Sequence, residues 1–126
     1  MKLAVMGGTF DPIHYGHLLT AKQAAENIGI DKVMFIPAGD PYFKRQRDIS
    51  PAQCRYKMIE LAIAGDDNLL ACDLELKRPG PTYTLDTMEQ LKEIYGKDTE
   101  LFLICGADVA SQLDRWHNPE KLFELC

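Results

Sequence analysis

Short apolar runs alternate along the chain with segments in which apolar residues recur every three or four positions. The apolar runs predict four strands, over residues 3–6, 33–36, 69–72 and 101–105, and the third strand could extend to Leu76. The periodic segments predict helices over about 15–28, 51–64 and 84–95, a short helix ending at Leu113, and a last helix capped by Asn118 and Pro119. Because strands and helices alternate, the pattern predicts an α/β protein with a doubly wound parallel sheet.

The helical stripes also predict which side chains face the core. The predicted inward residues are Leu18, Leu19, Ala21, Ala24, Ala25 and Ile28 in the first helix, Met58, Ile59, Ala62 and Ile63 in the second, and Leu85, Met88, Leu91 and Ile94 in the third. Residues 50–53 match a capping box with proline at the first helical position. Gly29, Gly65 and Gly96 are predicted to end these helices.

Length and composition predict one globular domain over residues 1–126, because the chain is long enough for a single core and 46% of it is apolar. Fourteen basic residues against nineteen acidic ones give a formal charge of −5, which argues against a nucleic-acid partner. We find no apolar run long enough for a membrane span, and the first strand begins too early to leave room for a signal peptide. A cytoplasmic protein is therefore expected.

The cysteines of the chain are widely spaced and contain no Cys-x-x-Cys pair; they are Cys54, Cys72, Cys105 and Cys126. Cys72 and Cys105 lie in apolar runs, where cysteine usually behaves as a small hydrophobic residue. We therefore expect four reduced thiols rather than disulfides or a metal site.

One stretch, Met6 to Leu18, carries the chemistry that organises the chain. An apolar strand leads into two glycines, Gly7 and Gly8, and a helix begins shortly afterwards. Because glycine has no Cβ, a phosphate could approach this backbone closely, and the helix start offers unpaired N–H groups. His14 and His17 are three residues apart, so they share one face of the first helical turn. The pattern predicts an anion site built on backbone and histidine.

This stretch lacks the Lys-Ser/Thr ending of a Walker loop and the third glycine of a dinucleotide fingerprint. Its segments Gly8-Thr9-Phe10-Asp11-Pro12 and His14-Tyr15-Gly16-His17 resemble the corresponding motif of the nucleotidyltransferase superfamily. Two further segments, Gly80 to Thr87 and Gly106-Ala107-Asp108 with Trp116, are similar to elements of the bacterial nicotinate-nucleotide adenylyltransferases. The resemblance spans almost the whole chain and implies a Rossmann-like nucleotidyltransferase fold.

Members of that family join ATP to nicotinate mononucleotide and release pyrophosphate in NAD biosynthesis. The resemblance implies a catalytic set of His17, His14 and Lys44. It implies an ATP site formed by Gly7, Gly8, Thr9, Phe10, His14, His17, Lys44, Arg47, Gly106 and Asp108. It implies a mononucleotide site formed by Tyr83, Thr84, Asp108 and Trp116. Mg²⁺ is expected to arrive on the phosphates of ATP, with no metal held by the protein alone.

Ordinary structural roles remain open for several of these residues. Arg45 and Arg47 could belong to a solvated loop, Trp116 to the core, and Thr84 to a simple helix cap. Asp11 is expected to fix the turn by hydrogen bonding rather than to act as a base, and His117 is expected to be a surface residue.

The sequence departs from the family pattern at two places. The basic loop has Pro41-Tyr42-Phe43-Lys44 where the family usually has Pro-Pro-His-Lys. Family members also continue to an Ile-Ser-Ser-Thr-x-x-Arg element, which this sequence lacks, so we expect the domain to be incomplete at its carboxyl end. A related transferase acting on nicotinamide mononucleotide or pantetheine phosphate stays open, as do a nucleotide-binding fragment without turnover and a homo-oligomer.

Overall fold

The fold is built on one parallel sheet. The computed structural model describes residues 1–39, 49–78, 83–106 and 110–126. Within these residues the strands are β1 (Lys2–Gly8), β2 (Lys32–Pro37), β3 (Leu69–Ala71) and β4 (Glu100–Ile104). Their order is β3-β2-β1-β4, and every neighbouring pair is parallel. The predicted strands and their parallel arrangement are therefore confirmed.

Five helices and one short 3₁₀ segment connect and cover the described strands. The helices are α1 (Tyr15–Ile28), α2 (Ala52–Ile63), α3 (Leu74–Lys77), α4 (Thr84–Tyr95) and α5 (Pro119–Leu125), and the 3₁₀ segment is Leu113–Arg115. Gly29 ends α1 with a left-handed backbone at φ 71°, and the Asn118 side chain accepts a hydrogen bond from the Lys121 N–H at the start of α5. Both predicted caps are confirmed, because glycine tolerates positive φ and asparagine carries a short acceptor.

The sheet is covered on both faces, as a doubly wound fold requires. On one face Ala4, Met6 and Phe35 pack in one apolar cluster with Ala21 of α1 and Ile59 of α2. On the other face a second cluster is formed by strand residues and by α4 and α5; its buried members are Leu3, Val5, Met34, Ile36, Leu85, Met88, Leu91, Leu101 and Leu122. Successive strand residues thus enter opposite clusters, which explains why residues 3–6 are apolar without interruption.

The strand order places a change of direction between β1 and β4. The chain passes from β1 to β2 to β3 on one side and then crosses so that β4 pairs with the other side of β1. The carboxyl ends of β1 and β4 are therefore neighbours, with Met6 aligned to Ile104. In open α/β sheets ligands bind in the crevice at such a point.

Some predicted core positions are wrong. Leu19, Ile28 and Ile94 are 47%, 49% and 62% exposed, and Ala62 is also exposed. Each lies at the margin of a narrower buried stripe, because only part of the circumference of a helix faces the sheet. In α1 the fully buried position is Ala21, and in α4 the buried residues are Leu85, Thr87, Met88 and Leu91.

Two predicted local features are also wrong. The capping box at residues 50–53 does not form: Pro51 is the N-cap of α2 and makes no side-chain cap hydrogen bond. The third strand does not extend to Leu76, because the Leu76 N–H bonds the Asp73 carbonyl at 3.0 Å and the backbone turns into α3. The short helix expected before Leu113 falls partly on residues 107–109, which lie outside the described part of the chain.

All four cysteines are free thiols in the structure. No helix among the described residues is both long and apolar enough to cross a bilayer.

Candidate functional site

The glycine turn follows β1 and leads into α1. The Ala38 N–H donates to the Gly8 carbonyl at 2.8 Å, which ties the turn to the end of β2. An added Cβ would lie 3.9 Å from the Ile36 carbonyl at Gly7 and 3.4 Å from the Phe10 ring at Gly8. These are ordinary contacts, so packing within the protein does not by itself require glycine at either position.

Phe10 anchors the turn in the core. Its φ of 51° lies in the left-handed region, which costs energy for a residue with a side chain. The ring is buried and meets Phe35 edge-on at a centroid distance of 5.8 Å. It meets the His17 ring edge-on at 4.9 Å. The buried ring of Phe10 therefore supports the orientation of His17 from the core side.

His14 and His17 form a reciprocal cap at the start of α1. His14 is the N-cap, and its Nδ1 accepts from the Gly16 N–H at 3.1 Å. The Nδ1 of His17 accepts from the His14 N–H at 3.1 Å, and the two rings stack with centroids 3.8 Å apart. The predicted pairing of the two histidines on one face is confirmed, and their ring orientations are set by the helix start itself.

This cap assigns the tautomer of each neutral ring. A neutral imidazole carries one N–H and one acceptor nitrogen, and in both rings Nδ1 serves as the acceptor. The hydrogen therefore lies on Nε2 of His14 and on Nε2 of His17. Both rings are equipped to donate one hydrogen bond from Nε2 to an oxygen of a bound anion.

Burial and charge adjust the ionisation of the site. The pKa of His17 is lowered from its ordinary value of 6.5, first by burial and then by the neighbouring His14. The pKa of Asp11 is lowered mainly by the Ser50 N–H, which donates to its carboxylate at 2.8 Å. Asp11 thus fixes the turn against the start of α2, as expected from the sequence, and stays ionised.

Arg55 is a residue of this region that the sequence analysis did not single out. It lies on α2, is fully buried, and donates to the carbonyl oxygens of Thr9, Ala38 and Ser50 at 2.7–2.9 Å. A signal for it was present, because Arg55 stands at the helical spacing of Ile59 and Ile63 on the buried stripe of α2. A charged residue on an apolar stripe is rare unless it has partners.

Three of the four residues predicted for the mononucleotide lie together beside the start of α4. Tyr83, Thr84 and Trp116 line a cavity of about 290 Å³ together with Leu85, Arg115 and His117. The Tyr83 and His117 rings stack at a centroid distance of 4.5 Å. His117 is exposed, as expected, but it also lines this cavity, which the sequence did not indicate.

Trp116 has features of both roles that the sequence left open. It is partly buried and packs against the apolar cluster formed by α4, α5 and one face of the sheet. It also lines the cavity beside Thr84. A partly buried indole with a face on a cavity can serve as a stacking surface for a planar ring.

The remaining predicted site residues lie either directly after β4 or outside the described part of the chain. Gly106 follows β4 at the carboxyl edge, and an added Cβ there would meet nothing within 4 Å. Lys44, Arg45, Arg47 and Asp108 lie outside the described residues. Among the residues that are described, no group of three or more His, Cys, Asp and Glu side chains is arranged to hold a metal ion.

The sheet is parallel and doubly wound, and the glycine-histidine turn follows β1, where the strand order changes direction between β1 and β4. These features define a Rossmann-like α/β protein. The chain belongs to the cytidylyltransferase-like family, which matches residues 5–126. The fold is shared with a nicotinic acid mononucleotide adenylyltransferase of Plasmodium falciparum, solved as a complex with NaAD, at a TM-score of 0.79 and 21% identity. That match covers 96% of this chain and 59% of the Plasmodium chain.

Sequence relatives confirm the resemblance inferred from the motifs. A protein of Dehalococcoides mccartyi is 46% identical over all 126 residues, and one of a Thermoanaerobacter species is 41% identical over the same length. Both are named probable nicotinate-nucleotide adenylyltransferases. The chain spans 62% of the first relative and 60% of the second.

Proposed function

We propose that this protein transfers the adenylyl group of ATP to nicotinate mononucleotide, giving nicotinate adenine dinucleotide and pyrophosphate. The observation that carries the proposal is the pair of imidazoles that follows β1, each with Nδ1 used as an acceptor, so that the hydrogen of the neutral ring lies on Nε2. The names of the relatives support the same reaction. Removal of pyrophosphate by nucleotidyl transfer requires positioned donors rather than a covalent nucleophile.

In the proposed reaction a phosphate oxygen of the mononucleotide attacks the α-phosphorus of ATP. A new P–O bond forms there, the bond to the oxygen bridging to the β-phosphate breaks, and that oxygen leaves with pyrophosphate. Negative charge grows on the α-phosphate and the leaving group, where Nε2–H of His17 and of His14 would donate. Gly7 and Gly8, which packing does not require, would leave room for the phosphates over the turn.

The acceptor would occupy the cavity beside the start of α4. Its pyridine ring would stack on Trp116, while Tyr83 and Thr84 would face the nicotinate carboxylate. Asp108 would accept from ribose hydroxyls, and Lys44 with Arg47 would neutralise the triphosphate. Mg²⁺ would come with ATP as part of the substrate, where its charge would help to neutralise the phosphates.

The test is a pyrophosphate-release assay with ATP and three separate acceptors: nicotinate mononucleotide, nicotinamide mononucleotide and pantetheine phosphate. It compares the 126-residue chain with a chimera in which the residues following the matched region of the Dehalococcoides relative are joined after Cys126. We expect the highest kcat/KM with nicotinate mononucleotide. A clear preference for pantetheine phosphate contradicts the proposal, and equal use of acid and amide removes the stated specificity.

The same assay separates an enzyme from a nucleotide-binding module. If both proteins bind ATP by calorimetry but release no pyrophosphate with any acceptor, the chain is a module without turnover. Sedimentation of both proteins reports whether they form the homo-oligomer that the sequence left open.

A further inference from the structure

Arg55 joins three separate segments of backbone beneath the glycine turn. Its Nε donates to the Ser50 carbonyl at 2.9 Å, just before α2. Its Nη1 donates to the Thr9 carbonyl at 2.9 Å, in the turn after β1, and to the Ala38 carbonyl at 2.7 Å, just after β2. The side chain is fully buried. One guanidinium thus connects the carboxyl ends of two neighbouring strands to the start of a helix.

Arginine is suited to this task by its shape. Its planar group presents several N–H donors in a fixed fork, so one side chain can satisfy carbonyls that point from different directions. The cost is the burial of a charge, which the protein bears only where hydrogen bonds compensate it. A neutral amide side chain would bring fewer N–H donors to the same three carbonyls.

One of the segments that Arg55 joins also contacts the histidine pair. The Thr9 carbonyl directly precedes Phe10, whose left-handed backbone directs its ring against His17 at 4.9 Å. The Ser50 N–H donates to Asp11 in the same turn, so Ser50 is bound to the turn directly and to Arg55 through its carbonyl. Displacing the Thr9 carbonyl would therefore move Phe10, and with it the support of His17.

We propose that Arg55 is a positioning residue that holds the turn at Thr9 and Phe10 in the shape that receives the phosphates of the nucleotide. This inference rests on the proposed nucleotide site and adds a residue from outside the motif to it. Arg55 does not touch the nucleotide in this account; it acts through the backbone of Thr9 and the ring of Phe10.

The test compares Arg55→Met and Arg55→Lys with the control Ile63→Ala. Ile63 is buried on the same stripe of α2, two helical turns away, so its truncation also removes core packing without touching the turn. ATP affinity is measured by calorimetry, and the His17 ring is followed by NMR, for each variant at a temperature where circular dichroism shows it folded. The chimera described above supplies kcat and the KM for ATP.

We expect Arg55→Met to weaken ATP binding by about tenfold or more, since a misplaced binding group is costly well beyond its own contact. The ATP affinity of Arg55→Lys should lie between those of the parent and of Arg55→Met. We expect a loss of about threefold or more, because an ammonium cannot reproduce the planar fork of the guanidinium. The control should bind ATP as the parent does. In Arg55→Met the titration midpoint of the His17 ring should also move towards that of an exposed histidine, because Phe10 no longer packs against the ring. Lost stability alone would not change this midpoint in the folded protein.

Equal ATP affinity and an unchanged His17 titration in the folded Arg55 variants and the control would overturn the proposal. If Arg55→Met does not fold, Arg55→Lys decides by the same criteria. If the parent itself fails to bind ATP, the proposed function fails, while a His17 titration altered in the Arg55 variants and not in the control still supports the positioning role at this turn.

Discussion

The two edges of the sheet differ in how their polar groups are used. At the amino edge a cavity of about 450 Å³ has several charged residues in its lining, and most of them bind another side chain or the backbone. Lys22 lies 3.9 Å from Asp66, the Lys32 ammonium donates to the Asp67 carbonyl at 3.0 Å, and the Lys2 N–H donates to Asp31 at 2.7 Å. At the carboxyl edge the cavity beside the start of α4 holds about 290 Å³, and the histidine pair at the same edge of the sheet carries a hydrogen on Nε2 of each neutral ring.

If the carboxyl edge is the functional site, as we propose, cavity size is a poor guide to function in this fold. At the amino edge Lys22, Asp31, Lys32 and Asp66 already have partners, so a ligand that used them would have to displace existing contacts. The carboxyl-edge rings use Nδ1 to hold their own geometry, so the hydrogen of each neutral ring lies on Nε2. The direction of the strands also favours the carboxyl edge as the functional site, since ligands of open α/β sheets bind at the carboxyl ends of the strands.

The largest effect should come from His17, and two replacements separate its two nitrogens. Asparagine places an acceptor near the position of Nδ1, whereas glutamine places a donor near that of Nε2. If Nε2–H stabilises charge in the transition state, His17→Ala and His17→Asn should lower kcat about a hundredfold or more in the chimera, with ATP affinity little changed. His17→Gln should retain more activity than His17→Asn. Equal activity of the parent and the folded His17→Asn protein would contradict the role.

The next effect concerns the cavity beside α4. Trp116→Ala should weaken binding of nicotinate mononucleotide by about 1–3 kcal/mol, the scale of base–aromatic stacking, while ATP affinity stays the same. Trp116→Phe is the matched control, because it keeps an aromatic face and should recover most of the affinity. Isothermal titration measures both ligands. If both variants unfold instead, Trp116 belongs to the core that it contacts and the stacking role is wrong.

A smaller effect should appear in the pH dependence. Burial and His14 lower the pKa of His17, so the folded protein binds this proton more weakly than the unfolded chain does. The contribution of His17 to stability is therefore complete above its ordinary value of 6.5 and decreases as the pH falls from there towards the lowered pKa. Protonation of Nδ1 would also remove the acceptor for the His14 N–H.

NMR titration of the His17 ring should give a midpoint below 6.5, and urea unfolding should show the loss of stability in the same pH range. His14→Asn keeps an acceptor at the N-cap and removes the neighbouring charge, so it should raise the His17 midpoint part of the way. A midpoint at or above 6.5 in the parent would show that the ring is not held as described.

The fold could be predicted from the sequence where one physical cause acts alone. Continuous apolar runs such as residues 3–6 occur when both faces of a strand are covered, and Gly29 ends α1 because it can adopt positive φ. The helical stripes were less accurate at their margins, as at Leu19 and Ile94, because periodicity does not tell how wide the covered strip of a helix is.

In the candidate site, too, features with one local cause could be predicted, whereas features that depend on the tertiary structure could not. The pairing of His14 with His17 follows from helical spacing, and the structure confirms it. The tautomers could not be predicted, since they depend on the extended backbone of His14 that makes it the N-cap. Arg55 was missed because two of the carbonyls that it binds, those of Ala38 and Thr9, are 17 and 46 positions away and reach it only through the tertiary fold. His117 was likewise placed at its cavity by a stacking contact with Tyr83 from a distant segment.

The smallest effect is expected at the amino edge, where loss of the Lys22–Asp66 pair should change neither function nor fold. Their side chains are 58% and 36% exposed, and pairs of this kind contribute about 0–1 kcal/mol. Lys22→Ala suits the experiment because alanine favours the helix. Asp66→Asn is the matched partner change, since an amide oxygen can still accept the Asn68 N–H that Asp66 now binds at 3.0 Å.

A double-mutant cycle by urea unfolding should give a coupling energy below about 1 kcal/mol that shrinks as salt is added, because exposed charges are screened. ATP affinity should be equal in the parent, both single variants and the double variant. A loss of ATP binding in Lys22→Ala would show that the larger cavity takes part in recognition, and the assignment of function to the carboxyl edge would then be wrong. Suppose instead that the Lys22 and Asp66 variants keep the ATP affinity of the parent while the His17 variants lose turnover about a hundredfold. The position of oriented N–H donors, rather than the volume of a cavity, would then identify the functional site.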